Sequence, residues 1–161
     1  MNRNEALLEK LSSWRPAEGR QSLHVAGDAT GWGVALTVDR ADQLGCLVWE
    51  LVLRKNARAT ENAEELEGWA RRVADRATGL LESLKVVEVD ATRGEALLRS
   101  ESPANGGDNV WYYEVLLNGA GSVNLRRYSA ARVGPGKREQ VAFVLTHEAM
   151  AKLATDLTDA A

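Results

Sequence analysis

Residues 60–84 read TENAEELEGWARRVADRATGLLESL and carry the longest helical pattern in the chain. Apolar residues recur there three or four positions apart, which places an apolar stripe along one side of a helix. The stripe consists of Leu66, Trp69, Val73, Ala77, Leu80 and Leu84. Thr60 or Asn62 can cap the N-terminal amides, and the glutamates that follow suit the positive end of the helix dipole. We therefore predict a long central helix over residues 60–84.

Alternating apolar and polar residues predict strands on both sides of this helix. The clearest strand begins at Trp32, from which residues 32, 34, 36 and 38 share an apolar face. In the next strand the same alternation places Trp49 on one face with Leu51 and Leu53. The predicted strands are residues 22–25, 32–39, 46–53, 86–89, 95–100, 110–117, 122–128 and 141–145. Residues 82–89 could instead extend the helix.

The segments between these strands set the expected topology. Asn118 and Gly119 mark a hairpin. Residues 102–109 predict a mobile loop, and a Gly-Pro-Gly loop follows at 134–136. The turns are too short for crossover helices, so the sheet should be largely antiparallel. Short helices are predicted at residues 2–14 and 146–159, the latter capped by Thr146. The expected fold is one α+β domain, residues 1–161, with an antiparallel sheet packed by the long central helix.

Composition narrows the class of protein. The chain has 161 residues, of which 45% are hydrophobic and 27% charged, and these are ordinary globular values. A formal charge of −3 gives no global attraction to nucleic acid or to anionic membranes. One cysteine excludes an intrachain disulfide framework. Because the sequence also lacks a signal-peptide pattern and a long apolar run, we expect a cytoplasmic protein without a membrane partner.

The sequence offers no constellation for catalysis, metal binding or cofactor binding. His24 and His147 are the only histidines, and neither stands in a cluster of metal ligands or of acid–base groups. Cys46 lies in an apolar run, which favours a buried and inert thiol. Gly134, Gly136 and Lys137 match only a fragment of a phosphate-binding loop. We therefore expect no catalytic, metal or cofactor residues and no cofactor.

A basic run is the candidate for nucleic-acid binding. It contains Arg126, Arg127, Arg132, Lys137 and Arg138, with no acidic residue between them. Together with the aromatic residues 111–113 of the preceding strand, it could bind phosphates and stack on single-stranded bases. A solvated hairpin whose arginines pair with acidic residues elsewhere is the favoured alternative, because the chain as a whole is negative.

The five tryptophans give the hint towards protein binding. Most should be core residues, because each lies on the apolar side of its element. If the sheet is covered on one face only, some would remain exposed and would suit a protein or peptide interface. The candidate interface residues are Trp69, Trp111 and Tyr113.

The order of elements resembles that of type III secretion chaperones and their relatives. The resemblance rests on a helix at 2–14, three strands, a helix at 60–84, further strands and a last helix at 146–159. It implies a small cytoplasmic homodimer that binds an extended segment of a partner on apolar surface. The leading hypothesis is thus a non-enzymatic binding, adaptor or chaperone-like domain. The alternatives are single-stranded nucleic-acid binding through residues 126–138, and a small-ligand or enzyme site without a visible motif.

Overall fold

The computed structural model describes residues 2–134 and 136–159, and in this part of the chain three helices accompany a ten-stranded sheet. Every strand pair is antiparallel. The elements are α1 (Arg3–Ser13), β1 (Gln21–Val25), β2 (Trp32–Ala41), β3 (Gly45–Lys55), α2 (Ala63–Arg76), β4 (Leu84–Asp90), β5 (Glu95–Ser100), β6 (Ala104–Gly106), β7 (Asn109–Asn118), β8 (Ser122–Ala131), β9 (Glu139–Val141), β10 (Phe143–Thr146) and α3 (His147–Asp159). The predicted α+β class with an antiparallel sheet is confirmed. Pro135, in the predicted Gly-Pro-Gly loop, lies outside the described residues.

The central helix is shorter than predicted. α2 begins after the Asn62 cap, whose side chain accepts from the Glu65 N–H, and it ends at Arg76. Thr78 and Gly79 follow, and both are weak helix formers. Leu84 therefore belongs to strand β4 and not to the helix, which also decides the ambiguity over residues 82–89 in favour of a strand. With 14 residues, α2 is close in length to the 13-residue α3.

Two antiparallel meanders meet edge to edge to form the sheet. The main order is β1-β2-β3-β8-β7-β5-β4, so β3 of the first meander pairs with β8 of the second. The three short strands lie off this path and pair with its interior strands: β6 with β7, β9 with β8, and β10 with β3. Strand β6 lies within residues 102–109, so the predicted loop is partly a short strand.

The helices bury one face of this sheet, which we call the covered face. In β2, Trp32, Val34, Leu36 and Val38 are buried as the alternation predicted. Trp69 of α2 packs against Trp32 with ring centroids 5.9 Å apart, and its indole N–H donates to the Leu157 carbonyl of α3 at 2.9 Å. Side chains of all three helices and of both meanders form one hydrophobic core.

Side-chain caps hold the outer helices to this core. Asn2 caps α1 in a capping box with Glu5, and the Thr146 hydroxyl accepts from the Ala149 N–H at the start of α3, as predicted. The Asp28 carboxylate, in the β1–β2 turn, accepts from the Arg3 N–H at 2.9 Å. Hydrogen bonds from Thr30 and from that N–H lower the pKa of Asp28 to about 2.

Two compensating bulges correct the predicted faces of β3. Thr37 pairs with Glu50 and Val38 pairs with Val48, which leaves Trp49 as an extra residue in β3. Arg40 then pairs with Leu47, which leaves Asp39 as an extra residue in β2. The bulge at Trp49 shifts the alternation in β3 by one residue, so Leu51 is buried on the covered face and Trp49 is not. The predicted grouping of Trp49 with Leu51 is therefore wrong.

In residues 2–134 and 136–159 no helix has both the length and the apolar character needed to cross a membrane.

Candidate functional site

The opposite face of the sheet, which we call the open face, remains partly exposed across its width. Strand β7 shows the contrast, since Tyr113, Val115 and Leu117 are buried while the intervening Tyr112 and Leu116 stay partly exposed. The helices pack on the covered face, so the open face of the seven main strands is a broad surface that a partner could contact. This face is the candidate functional site.

A row of polar and charged side chains crosses the open face at right angles to the strands. From β1 to β4 it consists of Ser22, Thr37, Glu50, Arg126, Glu114, Arg99 and Lys85. Arg126 Nε lies 2.5 Å from the Glu50 carboxylate, and Arg99 Nε lies 2.9 Å from that of Glu114. The Arg126–Glu50 pair joins β8 to β3 and so links the two meanders, whereas the Arg99–Glu114 pair joins β5 to β7 within the second meander.

Aromatic rings and a third arginine lie beside this charged row. Tyr112 and Tyr128 are cross-strand partners with ring centroids 5.9 Å apart. The Arg138 guanidinium lies 3.8 Å from the Tyr128 ring centre and also binds Glu114, with nitrogen–oxygen distances of 2.5 and 3.4 Å. The hydrogen bond to Glu114 raises the pKa of Arg138, so this guanidinium stays cationic. Glu114 is thus shared by Arg99 and Arg138.

The bulged residues build a second stack at the other side of the face. The Arg20 guanidinium lies 3.6 Å from the Trp49 ring centre and pairs with Asp39 at 2.8 Å. Trp49 and Asp39 are the two extra residues of β3 and β2. The bulge in β3 places Trp49 on the open face, where it and Asp39 of β2 contact the same arginine, and re-aiming a side chain in this way is a common use of a β-bulge.

The sheet forks between these two stacks. Strands β3 and β8 pair with each other from Leu51 and Leu125 towards one end of the sheet. Towards the other end they pair with short strands instead, β3 with β10 and β8 with β9. Gln140 of β9 reaches across the fork, since its side-chain amide donates to the Trp49 carbonyl at 2.9 Å.

A row of smaller and more apolar side chains lies on the other flank of the charged row. The register places Ala35, Val52, Asn124, Leu116 and Leu97 side by side on five adjacent strands. Most of them are partly exposed, and Val52 is 5% exposed. The open face therefore combines an apolar row, a charged row and aromatic stacks in parallel.

The predicted interface residues lie elsewhere. Trp69 is 0% exposed and Tyr113 is 1% exposed, so both belong to the core under the helices, and the expectation that they form a surface interface is corrected. Trp111 is half-buried against β6, where a Cβ on Gly106 would come within 2.6 Å of its ring. Of the three predicted interface residues, two are therefore buried in the core and the third packs against β6.

The predicted basic patch is divided by the sheet. Arg126 and Arg138 pair with carboxylates on the open face, whereas Arg127 is 7% exposed and faces the helices. Arg132 and Lys137 are exposed in the loop after β8. These five residues do not form one continuous cationic surface.

Arg127 belongs to a buried polar network on the covered face. Its guanidinium lies 2.9 Å from the Glu82 carboxylate and 4.1 Å from the ring centre of Tyr113. The Ser100 hydroxyl donates to Glu82 at 3.1 Å and accepts from the Tyr113 N–H at 2.8 Å. Burial raises the pKa of the Tyr113 hydroxyl. The network connects the segment after α2 with three strands, which is a structural role.

The residues considered for catalysis have ordinary structural surroundings. His147 Nε2 lies 3.1 Å from the Asp42 carbonyl oxygen. Cys46 is buried, and burial raises the pKa of its thiol to about 11. Among residues 2–134 and 136–159, no group of three or more histidine, cysteine or acidic side chains is arranged to hold a metal ion. Comparison of the chain with protein-family models, with curated proteins and with solved structures found no match.

Proposed function

We propose that this chain is a non-enzymatic protein-binding domain that engages its partner through the open face of the sheet. The observation that carries the proposal is the composition of that face. Tryptophan, tyrosine and arginine are the side chains most enriched among the energetic centres of protein interfaces. Trp49, Tyr112 and Tyr128, each with an arginine over or beside its ring, are concentrated there.

The pre-organisation of these side chains supports the same proposal. Arg138 is held at once by Glu114 and by the Tyr128 ring, and Arg20 by Asp39 and by the Trp49 ring. A long side chain that is already fixed loses less entropy when a partner arrives, so more of the contact energy appears as affinity. A rigid, amphipathic surface of this kind suits a protein or peptide better than a small metabolite.

Site-specific photocrosslinking in the host cell tests the proposal. A photoreactive phenylalanine replaces Thr37 of β2, in the charged row of the open face, and a control carries it at Arg71 on the exposed side of α2. We expect discrete protein adducts from position 37 that are absent from position 71. The recovered partner, once purified, should bind the wild-type domain and bind more weakly after Tyr128→Ala. Equal adducts at both positions, or none at position 37, would refute the open face as the interface.

The homodimer and the type III chaperone-like character remain predictions from the resemblance in element order. Light scattering coupled to size exclusion tests the first of them. A dimer at micromolar concentration supports it, whereas a monomer throughout that range contradicts it.

Nucleic-acid binding through residues 126–138 is the weaker candidate. Arg126, Arg127 and Arg138 already pair with carboxylates of the chain, which reduces the phosphate neutralisation that each could provide. Retention of single-stranded DNA at low salt, lost as salt rises, would favour it. An enzyme or small-ligand site has no assigned residues, and thermal-shift screening against metabolites tests that alternative.

A further inference from the structure

In the ion pairs of the open face, the acidic and the basic side chain differ in exposure. Glu114 is 13% exposed, while its partners Arg99 and Arg138 are 39% and 38% exposed. Glu50 is 21% exposed and Arg126 is 40% exposed. In each pair the carboxylate lies deeper in the face and the guanidinium lies nearer to the solvent. A molecule approaching these ion pairs meets cationic groups first.

The cluster around Glu114 also carries more positive than negative charge. One carboxylate serves two guanidiniums, those of Arg99 and Arg138. Lys85 of β4 is the cross-strand neighbour of Arg99 on the same face. A guanidinium has five N–H donors in a planar fork, and the contact to Glu114 uses only some of them. Donors therefore remain for a second carboxylate supplied from outside.

The aromatic rings decide which kind of anion fits. Tyr128 is 8% exposed, with the Arg138 guanidinium 3.8 Å and the Tyr112 ring 5.9 Å from its ring centre. Stacking on nucleic-acid bases requires bare aromatic faces, and this ring is already occupied. A carboxylate needs no ring face and can instead accept two in-plane N–H bonds from an arginine held flat against tyrosine.

We propose that the open face binds an extended acidic segment of the partner protein, with carboxylates on Arg99, Arg126 and Arg138. This inference rests on the proposed function and specifies the chemistry of its partner. The apolar residues of the segment lie along the neighbouring row that contains Val52, Leu97 and Leu116. Its carboxylates lie on the side of the charged row, because Glu88, Asp90 and Glu95 line the surface beside Leu97 and Leu116. Charge complementarity selects the segment, and the apolar row supplies buried area.

Selection from random displayed peptides of about twelve residues, using the purified full chain as bait, tests the inference. We expect enriched peptides to combine Asp or Glu with apolar residues and to bind more weakly as salt rises. Arg138→Gln should weaken the best synthetic peptide at least about tenfold. Arg71→Gln, on α2, is the matched control and should change affinity less than about twofold. Arg99→Gln provides a second variant if Arg138→Gln does not fold.

The outcomes separate this inference from the proposed function. Enriched peptides without acidic bias, or with binding unaffected by both arginine variants, overturn the acidic segment and leave the photocrosslinking result standing. Failure to enrich any peptide also overturns it. Displacement of the bound peptide by oligo(dT), with tighter binding of the DNA, overturns it in favour of nucleic acid. Failure of the photocrosslinking refutes the proposed function itself.

Discussion

Arg126 and Arg127 are neighbours in the chain, yet they lie on opposite faces of the sheet. Arg127 and its partner Glu82 are 8% and 10% exposed, whereas Arg126 and Glu50 are 40% and 21% exposed. The first pair lies on the covered face, beneath the segment that follows α2, and the second lies on the open face. Because successive residues of a strand point to opposite sides, a run of like charges in a strand sequence need not form one patch. The two faces therefore place the same type of side chain in different surroundings, one buried and one partly exposed.

The tryptophans give the sharpest test of this difference. Trp69→Ala removes a fully buried indole and its hydrogen bond to Leu157, and we expect it to lower the free energy of unfolding by about 3–5 kcal/mol. Trp49→Ala on the open face should cost about 1 kcal/mol or less, because its ring is only half-buried. Urea unfolding of both variants measures the two values. Equal losses would contradict the assignment of separate structural and binding faces.

The neighbouring arginines can be compared through one substitution. Arg127→Met leaves Glu82 buried without its cation, so we expect a loss of about 3 kcal/mol in unfolding free energy. Arg126→Met removes a half-exposed pair and should cost about 1 kcal/mol or less. The double variant Arg127→Met with Glu82→Met should recover much of the loss, because it leaves no unpaired charge. No recovery in equilibrium unfolding would mean that packing, not charge burial, dominates.

Asp28 tests how firmly the helical layer is attached to the covered face. Asp28→Ala removes the acceptor for the Arg3 N–H at the start of α1, and we expect a loss of about 1 kcal/mol. The pKa of Asp28 is lowered from 3.8 to about 2, so its contribution is present above pH 4 and disappears as the pH falls towards 2. Wild type and variant should therefore converge in thermal stability at low pH. Asp75→Ala, exposed on α2, is the control.

Much of the fold could be predicted because its signals are local. The alternation from Trp32 placed β2 and its buried face correctly, and Thr146 marked the start of α3. The helix at 60–84 was overestimated because Leu80 and Leu84 continue the apolar spacing beyond Gly79. There the weak helix propensity of Thr78 and Gly79, together with pairing of β4 to β5, overrides the periodicity.

Part of the open face could also have been predicted from the sequence. Gly119, Ala120 and Gly121 connect β7 and β8, and Gly121 has a φ of +120°, which favours glycine. A three-residue turn fixes the register, and counting back from it pairs Glu114 with Arg126. The same alternation put Tyr113 with Val115 and Leu117, so its burial could have been expected.

The rest of the site depends on contacts between distant segments. Glu50 and Arg126 are 76 positions apart, and they meet only because β3 pairs with β8. The bulges that expose Trp49 depend on the pairing of β2 with β3, and no residue within 46–53 indicates them. Local periodicity assigns a residue to a face, but the order of strands decides which residues share it.

Cys46→Val has the smallest expected effect on stability, and this effect concerns the covered face alone. Burial raises the pKa of its thiol from 9.0 to about 11, so the folded protein holds this proton more tightly than the unfolded chain does. The resulting stabilisation is complete below pH 9 and is lost as the pH rises towards 11. The stability difference between wild type and Cys46→Val should thus be constant from pH 6 to 8 and shrink by less than about 1 kcal/mol by pH 9.5. Because the open face contributes nothing to this stability difference, its change with pH should be the same when both proteins also carry Arg138→Gln. A different pH dependence in that background would show that the two faces are energetically coupled.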